Sequence, residues 1–334
     1  MYCLELAGDE DAFAACEAAS AASAVEVVAG GVATARGIDP DGVQRLAYTH
    51  AASDLVARTD AEIKAAEAAL TAAQFDREGS VAVRARDVRG ATDVSTQAAE
   101  RRLGEVLVDR GFEVDLDDPD HELRALFAGG DTEGGDHEAC CLLGWLAVES
   151  RRDYGERQPT DRPFVQPGSM APLDARALVN IAGAGPDTTI VDPMCGTGGL
   201  LLEAGLVGSD VIGVDAQWKM TRGSRENLAA LREESDETFD GDVTVIHGDA
   251  TALPLINDAA DAVVFDAPYG RQSKIARHEL ADLVGGALQE AHRIAPRAVV
   301  VADRGWDNAA VEAGWTLEQR FERRVHGSLV RHVH

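Results

Sequence analysis

The C-terminal half of the sequence predicts a doubly wound, parallel α/β sheet, and the N-terminal half predicts a mixed α+β region. From about residue 163 onward, short apolar runs alternate with stretches of helical periodicity, the pattern of strands joined by helical crossovers. Before about residue 150, alternating and helical patterns are interspersed in no fixed order. The predicted strands of the C-terminal half are 188–192, 211–215, 243–247, 262–266 and 298–302.

A change of pattern near residue 70 predicts two parts within the N-terminal half. We expect residues 1–70 to form a ferredoxin-like α+β subdomain and residues 71–150 to form a second α+β unit. Residues 151–162 are polar without periodicity, and we interpret them as a linker to a domain at 163–334. The strand patterns are 2–6, 25–28, 32–35, 80–85, 113–116, 121–127 and 141–148. The helical patterns are 9–24, 46–56, 61–73 and 95–110.

The chain is strongly acidic, with a net charge of -27, and its only lysines are Lys64, Lys219 and Lys274. Acidic composition with few lysines and much alanine resembles proteins of organisms that keep molar salt in their cytoplasm, as halophilic archaea do. At ~1 M salt the Debye length is roughly 3 Å, so repulsion between these carboxylates and a nucleic acid is largely screened. The acidity therefore does not exclude an RNA substrate.

Several common kinds of site and segment have no signal in this sequence. No apolar run is long enough to cross a membrane, and the first residues lack the pattern of a secretory signal. The five cysteines form no Cys-x-x-Cys pair and have no histidine cluster near them, so we expect buried free thiols and no metal. We expect a cytoplasmic protein. The sequence does not define the oligomeric state, and a monomer is the working hypothesis.

A glycine-rich loop follows the first strand of the C-terminal half and leads into a helix. It reads Asp192-Pro193-Met194-Cys195-Gly196-Thr197-Gly198-Gly199. Glycines let a ligand approach the backbone, and free N–H groups at a helix start attract a carboxylate. The next two strands end at Asp215 and at Gly248-Asp249-Ala250. Acidic groups at these positions suit ribose hydroxyls and an adenine amine respectively.

Two cofactors compete for this loop. The fingerprint of a nicotinamide dinucleotide requires glycine at its first, third and sixth positions, and the sixth position here is Leu201. No hydride-transfer site follows, so we predict S-adenosylmethionine. A purely loop-capping role for the three aspartates is disfavoured, because they follow successive strands.

A second motif, Asp266-Ala267-Pro268-Tyr269, follows the strand at 262–266. A carboxylate, backbone carbonyls and an aromatic ring at one point suit a planar base with an exocyclic amine. The oxygens of Asp266 and of Ala267 or Pro268 would accept the amine hydrogens, and Tyr269 would stack on the base. We therefore predict methyl transfer to a base nitrogen. The alternatives are a turn-capping Asp266 and a Tyr269 that packs in the core.

These motifs resemble those of the class I methyltransferases that modify guanine N2 in RNA, whose first motif has the form Asp-Pro-x-Cys-Gly-Ser/Thr-Gly. Residues 162–172 resemble the loop that closes over the cofactor in this group, and residues 326–331 resemble the end of its final hairpin. Residues 71–150 loosely resemble a THUMP domain, an RNA-binding module of tRNA-modifying enzymes. The whole chain thus resembles the archaeal tRNA (guanine-10 N2) dimethyltransferases.

The resemblance implies a Rossmann-like methyltransferase domain, S-adenosylmethionine as cofactor and tRNA as substrate. It implies N2 methylation of guanosine at position 10, to the monomethyl and dimethyl products. The family usually has proline where Ala267 stands, and we expect only a small effect on loop rigidity. The predicted catalytic residues are Asp266, Ala267, Pro268 and Tyr269. The predicted cofactor contacts are Phe164, Pro167, Ser169, Asp192, Cys195, Gly196, Thr197, Gly198, Gly199, Asp215, Asp249 and Ala250.

The predicted RNA contacts are arginines of the N-terminal half and two cations after the second motif, and a salt-bridged or solvated surface is an equal alternative for them. They are Arg84, Arg86, Arg89, Arg101, Arg102, Arg271 and Lys274. Other functions stay open. A DNA adenine or cytosine amino-methyltransferase shares the second motif but usually carries a target-recognition insertion. Protein glutamine methyltransferases have Asn in place of Asp266. Intact Asp192, Asp215 and Asp266 disfavour a non-catalytic RNA-binding protein.

Overall fold

The chain folds into two units, Met1–Arg151 and Arg152–His334, each built on its own sheet. The computed structural model describes residues 1–132, 135–234, 239, 241–268, 277–326 and 329–333. In this part of the chain, no helix is long and apolar enough to span a bilayer. The same residues contain no cluster of three or more His, Cys, Asp or Glu side chains able to share a metal ion.

The first unit has an eight-stranded sheet in the order β3-β4-β1-β6-β12-β9-β7-β8 and two short ladders, β2-β5 and β10-β11. Its strands are β1 (Tyr2–Leu6), β2 (Ala22–Ser23), β3 (Glu26–Ala29), β4 (Val32–Ala35), β5 (Gly37–Ile38), β6 (Thr49–Asp60), β7 (Ser80–Asp87), β8 (Glu113–Val114), β9 (His121–Ala128), β10 (Asp131–Thr132), β11 (Gly135–Asp136) and β12 (Cys140–Glu149). Its helices are α1 (Asp11–Ala18), α2 (Pro40–Gln44), α3 (Ile63–Ala72) and α4 (Thr96–Asp109).

One core of the first unit lies between its sheet and helices α3 and α4. Leu70 of α3 and Leu103 and Leu107 of α4 are fully buried in it, against Leu123 and Phe127 of β9. The hydroxyl of Ser95 accepts the Ala98 N–H and caps α4. A single sheet thus runs through both parts of the N-terminal half. The assignment of residues 71–150 to a THUMP domain stays a prediction.

The prediction of a helix at 46–56 is wrong. Residues 49–56 form the first part of β6, which pairs with β1 on one side and β12 on the other. The alanines in this segment favour a helix by less than ~1 kcal/mol per residue, and two ladders outweigh that preference. The helix predicted at 9–24 ends at Ala18, because Ala22 and Ser23 pair with β5. The strands predicted at 2–6 and 32–35 are found with the predicted ends, and the other predicted helices and strands of this half are present with shifted ends.

The second unit has a seven-stranded sheet in the order β15-β14-β13-β16-β17-β19-β18. The strands are β13 (Thr189–Asp192), β14 (Asp210–Asp215), β15 (Val243–His247), β16 (Ala262–Asp266), β17 (Ala298–Ala302), β18 (Phe321–His326) and β19 (Leu329–Val333). The helices are α5 (Pro172–Ala182), α6 (Gly199–Leu206), α7 (Trp218–Glu234), α8 (Arg277–Ile294) and α9 (Asp307–Glu312). The first five strands are parallel and β19 is antiparallel to β17, which confirms the predicted doubly wound fold.

The order of the strands fixes where a ligand can bind. The chain moves outward from β13 through β14 to β15, then returns to place β16 on the other side of β13. The loops after β13 and β16 therefore diverge and leave a crevice at the carboxyl edge of the sheet. Beneath it, Val191, Val263 and Phe265 are fully buried against Val284 and Leu288 of α8, so the edge has a rigid support.

The segment expected to be a linker, 151–162, lies mostly within the second unit and is anchored there by a buried ion pair. Arg157 donates to both carboxylate oxygens of Glu203 on α6, at 2.7 and 3.2 Å. Arg176 of α5 binds the same carboxylate at 2.9 Å. Glu203 is completely buried, so its charge is stabilised by these two guanidinium groups rather than by water.

We predict that Glu203→Ala lowers the free energy of unfolding of the second unit by about 3–5 kcal/mol, because it leaves two buried arginines without their shared carboxylate. Denaturant unfolding in molar KCl measures this change. The control is Glu226→Ala, which removes a solvent-exposed partner of Arg222 and should cost less than about 1 kcal/mol. Equal, small losses for both variants would contradict the anchoring role.

Candidate functional site

A cleft opens at the carboxyl edge of the second sheet, where β13 and β16 lie side by side. Three segments line it: the loop 166–170, the glycine loop from Asp192 to Leu200, and Asp266 at the end of β16, with Met220 of α7 added. The two motifs singled out in the sequence therefore meet at one place, although 74 residues separate Asp192 from Asp266.

The glycine loop is held by short backbone hydrogen bonds. The Cys195 N–H donates to the Val214 carbonyl at 2.9 Å, and the Gly198 N–H donates to the Cys195 carbonyl at 2.7 Å. Gly196 and Gly198 have φ values of +51° and +83°. A Cβ at Gly198 would lie 2.5 Å from the Ser224 hydroxyl oxygen. Glycine at this position is thus required both by its conformation and by close packing on α7.

Asp215 joins the glycine loop to the start of α7. Its carboxylate accepts the Gly196 N–H at 3.1 Å and the Gln217 N–H at 2.8 Å. Burial raises the pKa of Asp215, and these two hydrogen bonds oppose that rise. Each oxygen keeps a further lone pair, so the carboxylate can still accept a ligand hydroxyl.

Asp192 is the most perturbed acid of the site. Its carboxylate accepts the Met194 N–H at 3.0 Å, and Asp192 as a whole is only 2% exposed. Burial raises the pKa of Asp192 well above its usual range, and the charges of Asp215 and Asp266 raise it further. Three carboxylates at one edge of the sheet, two of them buried, favour a ligand that brings positive charge.

Asn227 on α7 ties the preceding loop to the glycine loop, and sequence reasoning missed it. Its amide group accepts the Phe164 N–H and donates to the Phe164 carbonyl, both at 2.8 Å, and it donates to the Thr197 carbonyl at 2.9 Å. The hydroxyls of Ser169 and Thr197 add a contact of 3.1 Å. Its burial within the helix, which the sequence does not show, is what requires these partners.

The predicted cofactor residues fall into two groups. Pro167, Ser169 and the glycine-loop residues except Gly198 line the cleft. Phe164, Gly198 and Asp215 do not line it. A Cβ built on Gly223 would lie 2.0 Å from the Phe164 ring, so Phe164 packs on α7 and anchors its loop. Burial raises the pKa of the Cys195 thiol, so this sulfur is a packing group rather than a nucleophile.

Asp249 and Ala250 do not line the cleft. The Asp249 carboxylate accepts the Thr251 N–H at 2.9 Å and the Thr251 hydroxyl at 2.8 Å, which closes its own turn. Ala250 is buried in the core cluster under the sheet edge. A contact between this turn and an adenine amine stays a prediction.

The second motif begins with an ordered turn. The Ala267 N–H donates to the Val301 carbonyl at 2.7 Å and extends the ladder between β16 and β17 by one bond. A proline could not donate this bond. Alanine therefore replaces the stiffness of the proline ring with a hydrogen bond, and Ala267 is buried in the core. Tyr269, Arg271 and Lys274 lie outside the described residues.

Most of the five N-terminal arginines that were predicted to bind RNA have acidic partners. Arg89 binds Asp11 through two nitrogens, at 2.6 and 3.1 Å. Arg86 binds Glu5 at 2.7 Å, and its side chain is 54% exposed. Arg84 lies 3.7 Å from Glu122, and Arg102 lies 3.7 Å from Glu105. Arg101 is exposed. Their contact with RNA stays a prediction, and the salt-bridged alternative describes Arg89 best.

Comparison with known proteins identifies relatives of this chain. The family model described as UPF0020, RMKL-like, methyltransferase domain, matches residues 159–332. The tRNA (guanine(10)-N2)-dimethyltransferase of Methanothermobacter thermautotrophicus is 34% identical over 294 residues, which is 86% of this chain and 82% of the relative. The protein of the same name from Pyrococcus abyssi is 28% identical and covers 70% of this chain and 67% of its own length. Human U6 snRNA (guanine-N(2))-methyltransferase THUMPD2 is 26% identical over 40% of this chain and 25% of its own length.

We predict that Asp192→Asn stabilises the protein by a few degrees near neutral pH and weakens the binding of a cationic cofactor. The raised pKa means that the folded state holds a proton that the unfolded chain releases. The stability of the wild type therefore falls as pH rises from the unfolded pKa through the folded one. Asparagine still accepts the Met194 N–H and removes this dependence. Thermal melts across pH test the prediction, and a lower melting temperature for the variant at neutral pH would contradict it.

We predict that Asn227→Ala costs about 2 kcal/mol of stability or more, because it leaves the buried polar groups of Phe164 and Thr197 unpaired. Affinity for the cofactor should fall with it. Asn227→Asp should be at least as harmful despite its matching shape, because a carboxylate cannot donate to two carbonyls. The matched control is Asn257→Ala in an exposed loop. Wild-type stability of Asn227→Asp would remove the amide from this role.

Proposed function

We propose that this chain, which belongs to the family of RMKL-like methyltransferases, methylates the N2 amine of a guanosine in tRNA with S-adenosylmethionine as methyl donor. The observation that carries the proposal is the shared cleft of the two motifs. Asp192 and the glycine loop lie on one side of it, and Asp266 lies at the end of the neighbouring strand. Such a cleft places a cofactor site beside a site for an exocyclic amine.

The described residues fit S-adenosylmethionine in charge and in hydrogen-bonding groups. The cofactor carries an ammonium and a sulfonium, and the buried carboxylates of Asp192 and Asp215 favour positive charge. The glycine loop offers backbone at the start of α6 to a carboxylate. Asp215 would accept the ribose hydroxyls. When bound, the cofactor supplies an electrophilic methyl group on a positively charged sulfur.

The chain's own contribution to the reaction is alignment and charge. The lone pair of a guanine N2 amine is delocalised into the ring, which makes it a weak nucleophile. In the proposed mechanism Asp266 accepts one amine hydrogen and the carbonyl of Ala267 or Pro268 accepts the other, so that the nitrogen faces the methyl group. The hydrogen bond from Ala267 to Val301 keeps this turn in place. Asp266 then accepts the proton that the alkylated amine releases.

The extent of the similarity favours tRNA over other acceptors. The match to the Methanothermobacter protein covers 294 residues, more than the methyltransferase region alone, so it includes much of the unit Met1–Arg151. The match to the U6 snRNA enzyme covers only 135 residues. We therefore propose position 10 as the target, dimethylation as the end point and residues 71–150 as a THUMP domain. A cytoplasmic location follows from the tRNA substrate.

We expect the protein, incubated in molar KCl with labelled S-adenosylmethionine and unmodified tRNA, to produce N2-methylguanosine and N2,N2-dimethylguanosine after digestion to nucleosides. A transcript with adenosine at position 10 should remain unlabelled. Asp266→Ala should reduce transfer by about 100-fold or more and leave cofactor affinity within a few-fold. Asp282→Ala, an exposed carboxylate on α8, is the control and should be fully active. Label in DNA but not in RNA, or full activity of Asp266→Ala, would overturn the proposal.

A further inference from the structure

An exposed aromatic pair lies beside the cleft. Trp218, at the start of α7, is 68% exposed, in a chain whose aromatic content is only 5%. Its indole is stacked on the imidazole of His247, with ring centroids 4.1 Å apart and planes inclined by 5°. His247 Nε2 contacts the Ala216 carbonyl at 2.9 Å, which fixes the orientation of the imidazole. The pair therefore offers a preformed flat surface to solvent.

Cationic side chains adjoin this pair. Arg222 is one helical turn from Trp218 on the same face of α7, and its side chain is 80% exposed. Its partner there is the half-exposed Glu226, at 3.3 Å, and an exposed pair of this kind is weak. Lys219, one of three lysines in the chain, reaches the Gln166 side chain at 3.1 Å. Aromatic and cationic groups interleaved on one surface are the usual composition of a site for single-stranded nucleic acid.

The pair lies on the rim of the cleft and not inside it. Gln166 and Met220 line the cleft, whereas Trp218 and His247 do not. Gln166 is bonded to Lys219, which follows Trp218 in the chain, and Met220 lies on α7 with Trp218. A ligand that stacks on Trp218 must therefore extend beyond the cavity that suits the cofactor. Within a chain of net charge -27, the local cations select a partner with negative charge.

We propose that Trp218 and His247 form a stacking platform for a base of the substrate RNA near the target guanosine, and that Arg222 binds a phosphate of the same strand. This inference rests on the proposed function and deepens it. A guanosine within a tRNA stem must leave its stack to enter the cleft, and the neighbouring nucleotides then lose stacking partners. The platform replaces one of these partners, so it promotes binding of the opened strand without sequence readout.

The first test separates RNA binding from cofactor binding. Trp218→Ala should raise the KM for tRNA roughly tenfold, the range of a lost base–aromatic stack, and leave the Kd for S-adenosylhomocysteine unchanged. Trp218→Phe should restore most of the affinity, and Trp218→Leu, which keeps apolar area without a π-face, should not. Val311→Ala, at an apolar residue of similar exposure on α9, is the control. An unchanged KM would overturn the platform, and so would an equal loss of cofactor affinity, which would assign Trp218 to the adenine.

The second test uses the ion pair. Arg222→Ala should weaken tRNA binding, whereas Glu226→Ala should strengthen it or leave it unchanged, because it frees Arg222. Weaker binding in both variants would indicate a structural role for the pair and overturn the phosphate contact.

Fluorescence anisotropy with a labelled RNA hairpin, in the presence of S-adenosylhomocysteine, measures this binding without turnover. Failure of the proposed function is distinguishable, because the wild type would then transfer no methyl group to RNA. The platform would still be judged by the loss of hairpin binding in Trp218→Ala.

Discussion

The second unit is organised around the confinement of three carboxylates at one edge of a sheet. Asp192, Asp215 and Asp266 end three adjacent strands. Burial opposes the ionisation of Asp192 and Asp215, and the charges of Asp215 and Asp266 oppose that of Asp192 further. Asp215 is stabilised by two backbone N–H groups and Asp192 by one. The apolar core beneath the edge holds the strands in place despite the unfavourable burial of these carboxylates. Charge that is unfavourable in the free protein becomes favourable when a cationic ligand enters, and a functional site is where such a conflict is expected.

The acidity of the whole chain shapes how it can recognise RNA. Arginine side chains are largely engaged within the protein: Arg124 alone contacts Glu5, Glu122 and Glu149, and Arg157 and Arg176 share Glu203. Molar salt screens the remaining negative charge, but it also weakens attraction between cations and phosphates. Stacking does not depend on counterions in this way. An exposed platform such as Trp218 with His247 therefore suits an RNA-binding enzyme that works at high salt.

Periodicity and turn chemistry predicted most of the second unit. Strands at 243–247, 262–266 and 298–302 are found with the predicted ends. Because parallel strands bind ligands beyond their carboxyl ends, the proximity of Asp192 and Asp266 was also predictable. The error at 46–56 arose because this alanine-containing central strand lacks the alternation of apolar and polar residues that would distinguish it from a helix. Asn227 and the Trp218–His247 stack were beyond the sequence for another reason. Asp215 pairs with His247 in the parallel ladder, so the closeness of the two strand ends was predictable. The side-chain directions that bring the Trp218 and His247 rings into contact depend on packing.

The most direct test of this account is the proton balance of cofactor binding. Calorimetric titration of S-adenosylmethionine, in buffers of different ionisation enthalpy from about pH 5 to about pH 8, gives the number of protons released. We expect the release of up to about one proton, with affinity rising as pH rises, because the cationic ligand stabilises ionised Asp192. Asp192→Asn should abolish the release. Binding without proton release at every pH would show that the carboxylate cluster is already ionised and would contradict the central claim.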